Sequence, residues 1–161
     1  MDSQNYLEEL FGDKVNFTKD GALSSLAKNQ AINQIRAGDT EFLVLFFGAN
    51  FSPPSRLLNA DLKNQYTTMN AGEKFKVVYV SSDKEEDYYN NVVKSMEGWF
   101  AVPFGDTKVT EKMQSKYQVS ELPTLVVVDL SGMTVVSPQA RNDAYLRSAS
   151  ALESWRVQLK Q

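Results

Sequence analysis

The chain has 161 residues, of which 42% are hydrophobic and 23% charged, with a net charge of −3. This suits one globular domain over 1–161 with a substantial core, and gives no electrostatic case for binding nucleic acid or an anionic membrane. Cysteine and histidine are both absent, which excludes disulfides, thiolate nucleophiles, cysteine or histidine metal sites and a serine, histidine, aspartate triad, so neither a metal nor another cofactor is expected.

Residues 1–5 lack the basic start and apolar core of a signal peptide, and no apolar run approaches the ~18 residues of a membrane span. A cytoplasmic protein without a membrane span is therefore expected, attached to cytoskeleton or organelle only through a complex. Tyr6, Leu7, Leu10 and Phe11, then Val15 and Phe17, are interrupted by Gly12-Asp13 and Asp20-Gly21, which predicts a turn and short edge strands over 1–22. Leu23, Leu26, Ile32 and Ile35 recur at helical spacing before Gly38, and a helix is predicted for 28–37.

Phe42-Leu43-Val44-Leu45-Phe46-Phe47 is a continuous apolar run ended by Gly48, the pattern of a central strand buried on both faces. Beyond it, Leu58, Leu62, Tyr66 and Met69 predict a helix over 54–70 that Ala71-Gly72 closes. The stretch Asn50-Phe51-Ser52-Pro53-Pro54-Ser55-Arg56 joins the two. Pro53 and Pro54 fit a first helical turn, where a missing N–H costs nothing, and Ser52 falls at the N-cap, where free backbone N–H groups and the positive end of the helix dipole converge.

Phe75-Lys76-Val77-Val78-Tyr79-Val80 reads as a second strand, parallel to the first through a right-handed crossover. Asp83 is placed as the cap of a helix with Glu85, Glu86 and Asp87 in its first turn and Gly98 at its end; this acidic run is a solvated helix start rather than a metal site. Residues 99–104 are extended, a short helix is expected over 107–117, and Leu122-Pro123-Thr124-Leu125 opens a strand. Ser131-Gly132 turns into an antiparallel edge partner at 133–136. From Asp143, Leu146, Ala149, Leu152, Trp155 and Leu159 describe a closing helix.

Phe51-Ser52-Pro53-Pro54-Ser55-Arg56 resembles the W-C-P-P-C-R active site of the tryparedoxin and nucleoredoxin branch of the thioredoxin superfamily, with both cysteines replaced by serine. Trp99-Phe100-Ala101-Val102-Pro103-Phe104 is similar to that branch's W-x-A-V-P-F. Leu122-Pro123-Thr124-Leu125 is similar to its I-P-T-L, and Ala140-Arg141-Asn142-Asp143 to its A-R-x-x. The resemblance runs over roughly residues 5–145, and the tail 144–161 departs from it. It implies an α/β thioredoxin-like fold with a central mixed, mostly parallel sheet flanked by helices and a strand ahead of the 28–37 helix. It also implies a cis Pro123 facing the Ser52 to Ser55 turn, with Leu122 offering backbone groups to an extended peptide.

Thiol exchange requires an attacking thiolate and a resolving thiol, and serine at 52 and 55 supplies neither. Ser52 reads as a plain N-cap, since a serine nucleophile needs an adjacent base. Phe51, Pro53, Pro54, Leu122 and Pro123 would form a small apolar patch that either contacts a partner or is an inherited surface contacting nothing. The expected function is a redox-inactive thioredoxin-like protein that binds proteins or serves as a structural subunit of a larger assembly, with Trp155 on the private helix leaning toward a partner contact. The alternative is a thiol-disulfide oxidoreductase whose two cysteines were substituted, which cysteine codons at 52 and 55 in the native coding sequence would reveal.

Overall fold

The computed structural model describes residues 3–67, 74–131, 134–137 and 151–159. Its elements are α1 (Ser3–Leu10), β1 (Lys14–Lys19), β2 (Ala22–Ala27), α2 (Lys28–Ile35), β3 (Phe42–Gly48), α3 (Pro53–Thr67), β4 (Phe75–Ser81), α4 (Glu86–Lys94), β5 (Phe100–Ala101), α5 (Thr107–Lys116), β6 (Thr124–Asp129), β7 (Thr134–Ser137) and α6 (Ala151–Leu159). The strands form one sheet in the order β2-β1-β5-β4-β3-β6-β7.

Every residue of β3 is buried, because alternate side chains enter two cores on opposite faces of the sheet. Phe42, Val44 and Phe46 join Leu58 and Leu62 of α3, Tyr89, Val92 and Val93 of α4 and Trp155 of α6. Leu43, Leu45 and Phe47 join Leu7 and Leu10 of α1, Ile32 and Ile35 of α2 and Val109 and Met113 of α5. Helices therefore cover both faces of the α/β sheet. Its pairing is mixed as expected but parallel only at the centre. The helical crossovers α3 and α4 leave β3, β4 and β5 parallel, whereas β1–β2, β1–β5, β3–β6 and β6–β7 are antiparallel.

Two local expectations are corrected. Residues 3–10 are helical rather than turn and strand, because Leu7, Leu10 and Phe11 at i, i+3 and i+4 form one buried stripe. Leu23 and Leu26 belong to β2 and not to the following helix: their odd separation sends them to opposite faces, Leu23 against the first core and Leu26 against the second. Helix α2 then starts at Lys28 as predicted. The closing residues Ala71-Gly72 and the Ala140-Arg141-Asn142-Asp143 segment lie outside the described residues.

Helix α6 packs Trp155 into the first core with no exposed surface. Its indole meets Phe42 and Phe75 edge to face, with centroids at 5.9 and 5.3 Å. The Arg156 guanidinium donates to both carboxylate oxygens of Glu41, at 2.9 Å from Nε. The expectation that Trp155 meets a partner is thus overturned: the tail uses its largest apolar group to close its own core. What α6 turns outward is Val157, 58% exposed, and Leu159.

Candidate functional site

The site is built where β3 runs out at Gly48 and α3 begins at Pro53. Ser52 N–H donates to the Ala49 carbonyl at 3.1 Å, closing a turn, and Arg56 N–H donates to the Ser52 carbonyl at 3.1 Å, opening the helix. The Ser52 hydroxyl accepts from Ser55 N–H at 3.4 Å, so Ser52 sits at the N-cap and Pro53 and Pro54 fill positions without an N–H to lose. Arg56 reaches back to donate to the Asn50 carbonyl at 2.5 Å, tying the first turn of α3 to the loop it leaves.

Ser55 points inward, 2% exposed, where its hydroxyl accepts from Ala49 N–H at 3.3 Å. Gly48 makes room for it: a Cβ there would stand 3.3 Å from Ser55 Oγ and 2.7 Å from the Phe46 ring. Gly48→Ala is accordingly expected to destabilise the fold by about 1–3 kcal/mol through overpacking, read by thermal melting; an unchanged melt would show that the turn has slack.

The second wall is the end of β4. Asp83 is 9% exposed, and its Oδ1 accepts from Asn50 N–H at 2.7 Å. Its Oδ2 accepts from the Tyr79 and Ser81 hydroxyls, both at 2.8 Å. Asp83 N–H in turn donates to Ser81 Oγ at 2.8 Å, and Ser82 N–H to the Gly48 carbonyl at 2.9 Å. Asp83 therefore does not cap α4, as the sequence suggested. The N-cap of α4 is Glu85, and the aspartate instead anchors the turn to the neighbouring strand. The signal available was the Ser81-x-Asp83 pattern directly after a buried strand, which suits a local side-chain turn as well as a helix cap.

Burial, followed by the Asp83 charge, pushes the Tyr79 phenol well above its ordinary value. Burial also pushes Tyr89 up to about 12, its O–H donating to the Val102 carbonyl at 2.7 Å, and burial raises Tyr117. Phenols raised in the folded state give stability that is fully present below the ordinary value of about 10 and lost as pH rises above it, at about 1.4 kcal/mol per pH unit for each group. Alkaline titration should show these tyrosines ionising together with loss of circular dichroism; ionisation on a fully folded chain near pH 10 would contradict their burial.

The third wall comes from β6. The Leu122–Pro123 bond is cis, and Thr124 pairs with Phe47, so Pro123 sits one residue further toward the turn. Of the residues singled out in the sequence, Phe51, Pro53 and Pro54 are exposed, Ser52 and Leu122 are half-buried, and Ser55, Pro123 and Trp155 are buried. The structure thus brings Phe51, Pro53 and Pro54 to one outer surface, with Phe51 55% exposed, and leaves Trp155 elsewhere.

Chemically, the turn holds two hydroxyls already used as acceptors by backbone N–H groups. The nearby carboxylate is occupied by three donors, and among the described residues no hydrogen bond pairs either hydroxyl with the adjacent base that an alcohol nucleophile requires. Among the described residues, no group of acidic side chains is arranged to hold a metal ion. No described helix is long and apolar enough to cross a membrane.

Comparison with known proteins gives a consistent result. A family described as thioredoxin-like matches residues 39–135. Nucleoredoxin from Bos taurus is 34% identical over 98 residues, 60% of this chain but only 22% of that protein's length. Among solved structures, tryparedoxin II from C. fasciculata superposes with a TM-score of 0.72 at 25% identity, over 91% of this chain and 90% of that one. A thioredoxin from Wuchereria bancrofti gives 0.67 at 28% identity, over 92% and 96%.

Proposed function

Because the chain belongs to the thioredoxin-like family, we propose that it is a redox-inactive relative of the nucleoredoxins and tryparedoxins that acts as a protein-binding or structural subunit of a larger assembly. The observation that carries this reading is the pair of serines at 52 and 55 in a chain without any cysteine. Disulfide exchange proceeds through attack by a thiolate and resolution by a second thiol, and an alcohol beside a helix dipole is no substitute for either. The exposed surface of Phe51, Pro53 and Pro54 is the proposed contact, with Leu122 beside the cis bond at its margin. Pro123 contributes by shaping the backbone there, since it is buried.

In an insulin-reduction assay the protein is expected to give no turnover above buffer with any electron donor, and measurable turnover would overturn the reading. The variant Ser52→Cys with Ser55→Cys places thiols at the cap and at the buried position. Its residue-52 thiol is expected to ionise below the ordinary ~8.5, as thiols at helix N-termini do, which alkylation rate against pH measures. For the contact surface, Phe51→Asp should abolish co-isolation of native partners while leaving the melting temperature unchanged. Equal recovery of the same partners would remove the turn from the interface.

A further inference from the structure

A cavity of about 430 Å³ opens next to the turn, between the loop that follows β4 and one face of α5. That volume lies in the ~300–1,000 Å³ range of ligand sites. Its α5 wall is Thr107, Thr110, Glu111 and Gln114, spaced i, i+3, i+4 and i+7, while the opposite face of the helix commits Val109 and Met113 to the core. Its base is Val102, Pro103 and Phe104, the Phe104 ring backed by Tyr89 at 5.7 Å. Gln114 Nε2 donates to Ser82 Oγ at 3.4 Å and joins the two walls.

The charges on this groove are unbalanced, because Asp83, Asp106 and Glu111 line it against Lys84 alone. Asp83 is a buried carboxyl held by its three donors, and Asp106 is held by capping α5 through Val109 N–H. Glu111 is exposed and enters no ion pair among the described residues. An apolar base under an acidic rim complements a side chain with an apolar stem and a cationic head, above all arginine, whose guanidinium also stacks on aromatic faces.

We propose that this groove receives an extended basic segment of a partner polypeptide, with an arginine laid over Pro103 and Phe104 and its guanidinium at Glu111 and Asp106. The groove adjoins the turn through Asp83, whose Oδ1 holds Asn50 N–H, so one bound polypeptide can span both. The inference rests on the protein-binding reading only in that a partner polypeptide exists; the turn and the groove are tested by separate variants and fail separately.

The test is titration of the 15N-labelled full chain with acetyl-Ala-Arg-Leu-Arg-Ala-amide, followed by amide chemical shifts. The shifts are expected at Lys84, at 104–107, and at Glu111 and Gln114. Affinity should fall about tenfold or more in the variant Asp106→Asn with Glu111→Lys, as for loss and reversal of complementary charge. The asparagine keeps an acceptor for the α5 cap, and circular dichroism checks that the variant folds. Four outcomes would overturn the proposal: no shifts at millimolar peptide, equal binding of the glutamate analogue, shifts confined to other surfaces, or the same shifts from free arginine amide. Concentration-dependent shifts at these residues without peptide would assign the groove to a second copy of the chain and likewise overturn it. Peptide binding here, combined with full partner recovery by Phe51→Asp, would keep the groove and discard the turn.

Discussion

Trp155→Ala is expected to cost the isolated protein about 3–5 kcal/mol, the range for truncating a buried large aromatic. At ~2–4 °C per kcal/mol for a chain of this length, that is a fall in Tm of roughly 6–20 °C. The indole is fully buried between Phe42 at the start of β3 and Phe75 at the start of β4, so its removal opens a cavity beneath the two central strands. Neighbouring Arg156 pairs with Glu41 one residue before β3, and this pairing, chiefly its side-chain hydrogen bond, holds the Glu41 carboxyl below its ordinary value. The glutamate's contribution is present above its unfolded value and lost as pH falls through the folded one, so the pairing of α6 with Glu41 weakens in acid. Trp155→Phe should recover part of the loss. A Trp155→Ala melt within about 1 kcal/mol of the parent protein would mean that α6 does not hold the core shut. Among the described residues of α6, Val157 and Leu159 are the apolar side chains left facing outward.

The central parts of this fold were legible because each signal there had a single physical solution. A run of apolar residues with no polar break, Phe42 to Phe47, ended by Gly48, suits a strand buried on both faces, and prolines at the first positions after a serine cap suit a helix start. Residues at the sheet margin were harder. Leu23 and Leu26 are three apart, which fits a helix face, yet β2 has core on both sides and accepts an apolar residue on either. The stripe of Leu7, Leu10 and Phe11 was too short to outweigh the Gly12-Asp13 break that follows it. Trp155 shows a different limit: helical spacing reveals that a face will be covered, but the covering surface, here Phe42 and Phe75, is distant in sequence. Asp83 shows another, since one carboxylate two residues past a strand satisfies several local patterns, and only the approach of Asn50 from β3 selects among them.

The turn should depend on that carboxylate. Asp83→Leu is expected to destabilise the protein by about 1–4 kcal/mol, because it keeps the branched shape but leaves donors without an acceptor, each worth ~1–3 kcal/mol when buried. The Tyr79 hydroxyl is buried, whereas Asn50 and Ser81 are half-buried, and of these the freely rotating Ser81 hydroxyl can turn to water. Asp83→Asn should cost only about 1 kcal/mol, since its side-chain carbonyl still accepts one hydrogen bond. The two variants also separate anchoring from packing. With Asn50 released, hydrogen exchange at 50–52 should accelerate in Asp83→Leu well beyond the change in global stability, while amides in β3 follow the global value. In the background carrying cysteines at 52 and 55, the same release should blunt the lowering of the residue-52 thiol, because that lowering requires the thiol to stay at the end of α3. If Asp83→Leu melts within about 0.5 kcal/mol of the parent and exchange at 50–52 is unchanged, the turn is held by Arg56 and the prolines, and the aspartate is needed neither for the turn nor for the Tyr79 hydroxyl.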